Sequence, residues 1–322
     1  MRFNDIIYEN IIPVVSIKLN LSVSFIFRPM SFIHKCILVS LAWTALPGTN
    51  VAQQTAQRPF PYTLSWKKDI PVAGVILVVA SSYAIPRSKP VYTPQDVYNL
   101  NPASINGFDR AATRYYSTAD DHLRTYMLAA TGVAGAVTLP AMVYAGSRSS
   151  PAPRSLFWTR CTILGTMYAE GLALNLGTNE WAKKFVDRPR PYAYNTGLTY
   201  AQRTNSDYLS SFYSNTTALQ WYTAGFIARV VGDLCPGSSW KYYVWGGAVL
   251  YSAVGGYLGV RSGQHFPTDV LTGALVGGLT GVLLPGWHKT TTRSGKEHDR
   301  KTTIFPGVGF AGTPQLCLVT HF

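Results

Sequence analysis

Residues Val270 to Trp287 read VLTGALVGGLTGVLLPGW, a stretch without a single charge. About 20 apolar residues are enough to cross a bilayer as a helix. Gly273, Gly277 and Gly281 recur in the stretch at four-residue spacing, on one face of that helix. In lipid such small residues let helix backbones approach closely, so the stretch predicts a transmembrane helix packed against a neighbour. Five further apolar runs precede it: Ile70 to Pro86, Tyr126 to Gly146, Leu156 to about Thr178, Thr217 to Leu234 and Trp240 to Leu258. Trp240, Tyr242, Tyr243, Trp245 and Trp287 gather near run ends, where amphipathic rings favour the water boundary. The fold class expected is all-α, a polytopic integral membrane bundle of about six transmembrane helices.

Composition agrees. Only 13% of the 322 residues are charged and 28 are glycine, against about 25% charged in a soluble domain. Lys and Arg exceed Asp and Glu by 28 to 15, a net charge of +13. Much of that excess lies between apolar runs, where it orients helices or meets anionic headgroups and phosphates. A membrane is therefore the partner expected, and nucleic acid is not. Cys36, Cys161, Cys235 and Cys317 are far apart without a CxxC spacing, so neither a disulfide framework nor a zinc site is implied.

The amino end has two readings. From Met30 a short basic head, an apolar stretch from Cys36 to Leu46 and a small residue at Ala52 resemble a secretory signal, which makes residues 1–29 an upstream extension. The alternative is an apolar amino-terminal helix from Ile11 to Phe27. The organisation expected is 1–52 extension and signal-like segment, 53–64 linker, 65–287 helical membrane domain, and 288–322 a basic tail with a short extended segment towards Leu316, Leu318, Thr320 and Phe322. Glu170 and Asn175 fall within the third run. A carboxylate there faces the bundle interior, as a functional group or as part of a buried pair.

Chemistry concentrates in three polar stretches beside the last four runs. The first is Lys183-Lys184-Phe185-Val186-Asp187-Arg188-Pro189-Arg190-Pro191. Cations on a proline-stiffened segment suit a phosphate, although taken alone the stretch reads as membrane-flanking charge. The second is Ser210-Ser211-Phe212-Tyr213-Ser214-Asn215-Thr216-Thr217, where hydroxyl and amide groups open a helix. They can cap it, and the free N–H groups there bind anions. The third is Gly259-Val260-Arg261-Ser262-Gly263-Gln264-His265-Phe266-Pro267-Thr268-Asp269. With a helix beginning near His265, Asp269 lies four residues on and can hold one ring nitrogen while the other faces a substrate.

Together the three stretches resemble the type 2 phosphatidic acid phosphatase superfamily, which includes lipid phosphate phosphatases and vanadium haloperoxidases. Its pattern is K-x6-RP, then PSGH, then SR-x5-H-x3-D. Lys183-x6-Arg190-Pro191 matches the first motif and His265-x3-Asp269 the end of the third. The resemblance implies a phosphatase without cofactor or metal, with a lipid phosphate as substrate. His265 would attack phosphorus to form a phosphohistidine, Asp269 would orient its imidazole, and Lys183 and Arg190 would neutralise the phosphoryl oxygens, with Ser214, Asn215, Thr216 and Arg261 as further phosphate ligands.

Two departures stand out. Tyr213, Ser214, Asn215 and Thr216 occupy the PSGH positions, so the histidine that protonates the leaving group is replaced by Thr216. The arginine six residues before His265 is replaced by Gly259. Arg261 is displaced by two residues and can substitute only where the helix has unwound. Loss of a general acid costs about 10²–10⁴ in rate and loss of a charge-stabilising donor roughly 10²–10³. Two outcomes follow: a weakened lipid phosphatase that favours good leaving groups such as lipid pyrophosphates, or a non-catalytic relative that keeps a phosphate pocket. The apolar spans argue against a soluble vanadate haloperoxidase.

With the loop at Arg148, Arg154 and Arg160, the turn at Lys241 and the tail after His288 in the cytoplasm, all three motif loops fall outside. The expected location is a bacterial-type inner membrane with the site facing the periplasm. A cleaved signal leaves Trp66 outside as well, so either the first run does not cross fully or the signal reading is wrong. His122, before the second run, reads as a surface histidine.

Overall fold

The computed structural model describes residues 60–86, 93–148, 153–204 and 207–290, together with the backbone of 302–308 and 314–320. The signal-like segment and the alternative amino-terminal helix lie outside the described residues. Six long helices match the six apolar runs in order: α1 (Trp66–Ala80), α4 (Thr118–Arg148), α5 (Arg154–Phe185), α7 (Asn215–Leu234), α8 (Trp240–Arg261) and α9 (Pro267–His288). Three short helices, α2 (Pro94–Tyr98), α3 (Gly107–Arg110) and α6 (Tyr200–Arg203), lie in the connections. Strands β1 (Thr302–Val308) and β2 (Pro314–Thr320) pair antiparallel, with Thr302 opposite Thr320. The described chain is thus helical, with one two-stranded ribbon in the tail.

Two of the six helices are long and apolar enough to cross a membrane by length and composition, over Thr118–Ala145 and Pro267–His288. The 15 residues of α1 span about 22 Å at 1.5 Å each, short of the roughly 30 Å hydrocarbon layer. The faces of α9 are inverted relative to a helix of a water-soluble protein. Leu271, Leu275, Leu279 and Leu283 point outward and are at least half exposed, while Gly273, Gly277 and Gly281 are buried. A leucine face turned out and a glycine face turned in suits a helix whose surroundings are lipid.

α7 is the central helix, in contact with α4, α5, α8 and α9, and α1 lies against α5. The glycine face of α9 meets the backbone of α7 so closely that no Cβ fits. One built on Gly273 would lie 2.5 Å from the Ser214 carbonyl oxygen, one on Gly277 2.0 Å from that of Ala218, and one on Gly281 2.5 Å from that of Tyr222. Both series advance by four residues, so two helix faces mesh turn by turn. Their docking brings the start of α7 against the start of α9, and the Ser214 N–H donates to the Asp269 carbonyl at 3.1 Å.

Candidate active site

Backbone hydrogen bonds join the three polar stretches to one another. The Ser211 N–H donates to the Arg188 carbonyl at 3.1 Å, the Tyr192 N–H to the Gly263 carbonyl at 3.1 Å, and the Arg190 N–H to the Tyr208 carbonyl at 2.6 Å. Below them, Pro191 to Tyr194 form a buried 3-10 turn that anchors the segment carrying Arg188 and Arg190. Gly263 turns the chain after α8 with φ +75, and a Cβ there would lie 2.3 Å from the Tyr115 carbonyl oxygen. A side chain is excluded on both counts. The turn folds His265 back so that its N–H donates to the Gly259 carbonyl at 3.1 Å.

His265 is 4% exposed. Its Nδ1 lies 2.8 Å from the Ser211 carbonyl oxygen. A carbonyl can only accept, so Nδ1 carries the proton and Nε2 of the neutral ring keeps its lone pair. Burial, then the charges of Arg190 and Arg124, and further that of Lys183, hold the imidazole well below the ordinary histidine range. Three cations thus bear on one buried neutral imidazole.

Arg190 is clamped by its neighbours. Nε donates to the Asp207 carbonyl at 2.9 Å, Nη1 to the Gln264 carbonyl at 3.1 Å and to Gln264 Oε1 at 2.9 Å, and Nη2 is ion-paired to the Asp207 carboxylate. Among the described residues four of the five guanidinium N–H groups are used, which leaves one for a ligand. Burial raises the Asp207 carboxyl, but the Arg190 charge, hydrogen bonds from Ser210 and Arg190 and the Lys183 charge together outweigh it, and the group titrates below its ordinary value. Lys183, in the last turn of α5, makes only a 3.6 Å ion pair with Glu180 among the described residues.

Asp269 does not hold the imidazole. Its Oδ2 accepts from the Phe266 N–H at 2.9 Å and from Ser211 Oγ at 2.6 Å, and its Oδ1 accepts from Arg188 Nη1 at 2.6 Å. The reason is local: α9 begins at Pro267, so Asp269 is its third residue and reaches back to the N-cap N–H, the usual task of an acidic side chain there. Arg188 also binds Asp109 at 2.8 Å and stacks over Phe266 at 4.1 Å. Asp109 in turn accepts from the Thr268 hydroxyl at 2.7 Å and the Thr268 N–H at 3.0 Å. Burial raises the Asp109 carboxyl, but the bonds from Thr268, Asn106 and Arg188 outweigh it and hold it below the ordinary range.

Ser214 caps α7 and is fully buried, its hydroxyl 2.9 Å from that of Thr217. Asn215 has a buried side-chain oxygen with no hydrogen-bond partner among the described residues. Arg261 is a correction. α8 is still helical through Arg261, and the side chain, 51% exposed, pairs with Asp120 at 3.2 Å. It therefore does not fill the place above Gly259.

Arg124, which the sequence reading did not single out, stands there instead. It comes from the first turns of α4 and is 12% exposed. Nε and Nη2 bond Asp121 Oδ1 at 3.1 and 2.6 Å, and Nη1 donates to Thr216 Oγ1 at 2.8 Å. A Cβ built on Gly259 would lie 3.5 Å from Arg124 Cδ and 3.8 Å from His265 Cδ2. Its separation from the motifs, 92 residues from Thr216, left no local pattern by which to find it.

One group of side chains could hold a metal among the described residues, Asp69, Glu170 and His288, with ligand atoms within 4.8 Å of one another. It lies at the far end of α9 from His265. His288 Nε2 is 3.0 Å from Asp69 and 3.3 Å from Glu170, so the carboxylate of the third run sits beside a buried histidine at the opposite end of α9 from His265.

Residues 161–293, which include all three motif stretches, match the family model of the PAP2 superfamily. Over that segment the chain is similar to the PAP2 superfamily. Among solved structures it is similar to the first transmembrane PAP2 type phosphatidylglycerolphosphate phosphatase from Bacillus subtilis, at 20% identity and a TM-score of 0.42, covering 72% of this chain and 100% of that one. No curated protein matches.

Proposed function

We propose that this protein is a membrane lipid phosphatase that cleaves lipid phosphomonoesters or pyrophosphates through a phosphohistidine on His265. The observation that carries the reading is the buried imidazole, its Nδ1 proton committed to the Ser211 carbonyl at 2.8 Å and its surroundings cationic. Nε2 attacks phosphorus as the bond to the leaving oxygen breaks, and Lys183 and Arg190 offset the charge on the phosphoryl oxygens. Water then attacks the phosphohistidine, releasing phosphate and returning the ring to its starting state. Asn215 and Thr216 at the start of α7 line the anion site, and Asp269 holds Ser211 and Arg188 in place.

Thr216 cannot protonate the leaving oxygen near neutral pH, so substrates whose leaving group is already a stable anion are favoured. A lipid pyrophosphate meets that condition and a lipid monoester does not. The motif loops lie at one end of the bundle, which in a bacterial-type inner membrane is the periplasmic leaflet. Purified protein assayed with phosphatidate and undecaprenyl pyrophosphate releases phosphate, and His265→Ala abolishes release. Equal rates for wild type and His265→Ala reject the proposal. A non-catalytic phosphate-binding relative is the second reading, favoured by Thr216 and Gly259 in place of the family's histidine and arginine; robust wild-type turnover excludes it.

A further inference from the structure

We infer that Arg124 is a third phosphoryl-binding cation of this site, supplied by α4 and admitted by the absence of a side chain at Gly259. The inference rests on the phosphatase reading for its role in turnover, but its anion-binding part stands on geometry alone. Arg124 is largely buried, and its charge bears on the His265 imidazole together with those of Arg190 and Lys183. Among the described residues three of its five N–H groups are used, by Asp121 and Thr216, which leaves two for oxyanion oxygens. By contrast, Arg190 has one. Asp121 compensates the charge through Nε and Nη2, and Thr216 fixes the Nη1 direction, so the guanidinium is held in place.

Gly259 is the other half of the arrangement. A methyl group would fit at ordinary contact distance, 3.5 Å from Arg124 Cδ, but a long side chain would compete with Arg124 for the same space beside the ring. An arginine at position 259 and one at position 124 are therefore alternatives. The missing arginine of the third motif is replaced from a helix that lies outside the PAP2 match.

The test compares wild type, Arg124→Ala, Arg124→Lys, Gly259→Arg and the double variant Arg124→Ala/Gly259→Arg, each checked for a wild-type-like thermal melt. Two readouts are taken: orthovanadate binding, and kcat/KM on the best lipid phosphate. Arg124→Ala is expected to weaken orthovanadate at least tenfold and lower kcat/KM by roughly 10²–10³. Arg124→Lys keeps the charge without the fork and falls between. Gly259→Arg alone lowers both, because two guanidinium groups crowd one place, whereas the same change made with Arg124→Ala restores at least tenfold of what was lost. A merely structural role for Arg124 would not be rescued from position 259. Unchanged orthovanadate affinity in Arg124→Ala, or a double variant no better than Arg124→Ala, overturns the inference. If wild type binds orthovanadate but turns over no lipid, the phosphatase reading fails and the binding series alone decides the role of Arg124. Should Arg124→Ala not fold, Arg124→Lys and the double variant carry the same comparison.

Discussion

Ser211 bonds His265 and Asp269 at once: its carbonyl accepts from Nδ1 of the imidazole at 2.8 Å, and its hydroxyl donates to the Asp269 carboxylate at 2.6 Å. The carboxylate thus acts on the ring through a serine, with no direct bond. The backbone carbonyl sets the tautomer, and the carboxylate sets the position of the backbone. Asp269 is in this sense a positioning residue whose loss moves the imidazole without removing its proton acceptor.

Asp269→Asn keeps the shape of the side chain but removes the charge facing Arg188. Asp269 is fully buried, and breaking a buried pair on one side costs about 3–5 kcal/mol. Ser211→Ala removes one hydrogen bond to that carboxylate and is expected to cost about 1.5–3 kcal/mol. Thermal melts in detergent should rank wild type above Ser211→Ala above Asp269→Asn. In kinetics both variants lower kcat more than they raise KM, and the acidic limb of the pH profile shifts, because the ring is misplaced and not lost. Equal melts for wild type and Asp269→Asn count against the network.

The pH dependence of stability has a defined sign. His265 is held well below its ordinary value by burial and by Arg190 and Arg124, so on acidification the unfolded chain takes up this proton first. Stability therefore increases as pH rises towards the ordinary histidine value near 6.5 and is flat above it. It is lost as pH falls from about 6.5 towards the depressed folded value. The same depression keeps the imidazole unprotonated into the range just below pH 6.5, so if it is the proposed nucleophile the acidic limb of kcat/KM should lie beneath that value. Melts across that range should slope less for His265→Gln than for wild type; parallel slopes are the contrary result.

Much of this architecture was readable in the chain, and the parts that were not share a cause. The six apolar runs became the six long helices because spanning runs are local patterns of hydropathy. Gly273, Gly277 and Gly281 announced a close approach, and the approach is to Ser214, Ala218 and Tyr222 of α7. Lys183, Arg190 and His265 were named by the resemblance, and in the structure the charges of Arg190 and Lys183 bear on the His265 imidazole. The task of Asp269 was not, because spacing from His265 does not reveal that α9 starts at Pro267 and turns the third residue back on its own cap. Arg124 was hidden because its partners, Thr216 and Gly259, are joined to it only by packing of α4 against the rest. Arg188 read as one more flanking cation until its two buried carboxylates, Asp109 and Asp269, were in place.

The seam between α7 and α9 gives a test with a built-in control. A Cβ on Gly277 would lie 2.0 Å from the Ala218 carbonyl oxygen, whereas on the next residue, Gly278, it would lie 3.7 Å from Trp221. Gly277→Ala is expected to push the helices apart, at about 1–3 kcal/mol, and to lower activity by separating Ser214 from Asp269. Gly278→Ala meets no clash and gains helix propensity worth up to about 1 kcal/mol. Melting temperatures of the two single variants should move in opposite directions. Similar losses from both would mean that the seam is not where the packing is tight.

Thr216 allows the missing proton donor to be tested by substrate. Its hydroxyl accepts from Arg124 Nη1 at 2.8 Å, and a threonine hydroxyl cannot give up its proton to a leaving alkoxide at neutral pH. A lipid monoester must then leave as an unprotonated alkoxide, while a lipid pyrophosphate leaves as a phosphate monoester, which is stable without a proton. Wild type is therefore expected to prefer the pyrophosphate strongly. Thr216→His places an imidazole at the start of α7, where it can serve as the acid. General acid catalysis is worth about 10²–10⁴, and nearly all of that gain should appear on the monoester. The expected result is a rise of about 10² or more in kcat/KM on phosphatidate, against less than about tenfold on undecaprenyl pyrophosphate, with the preference of wild type narrowed accordingly. An equal rise on both substrates would show that position 216 acts through binding of the transferred phosphoryl group and not through the leaving oxygen.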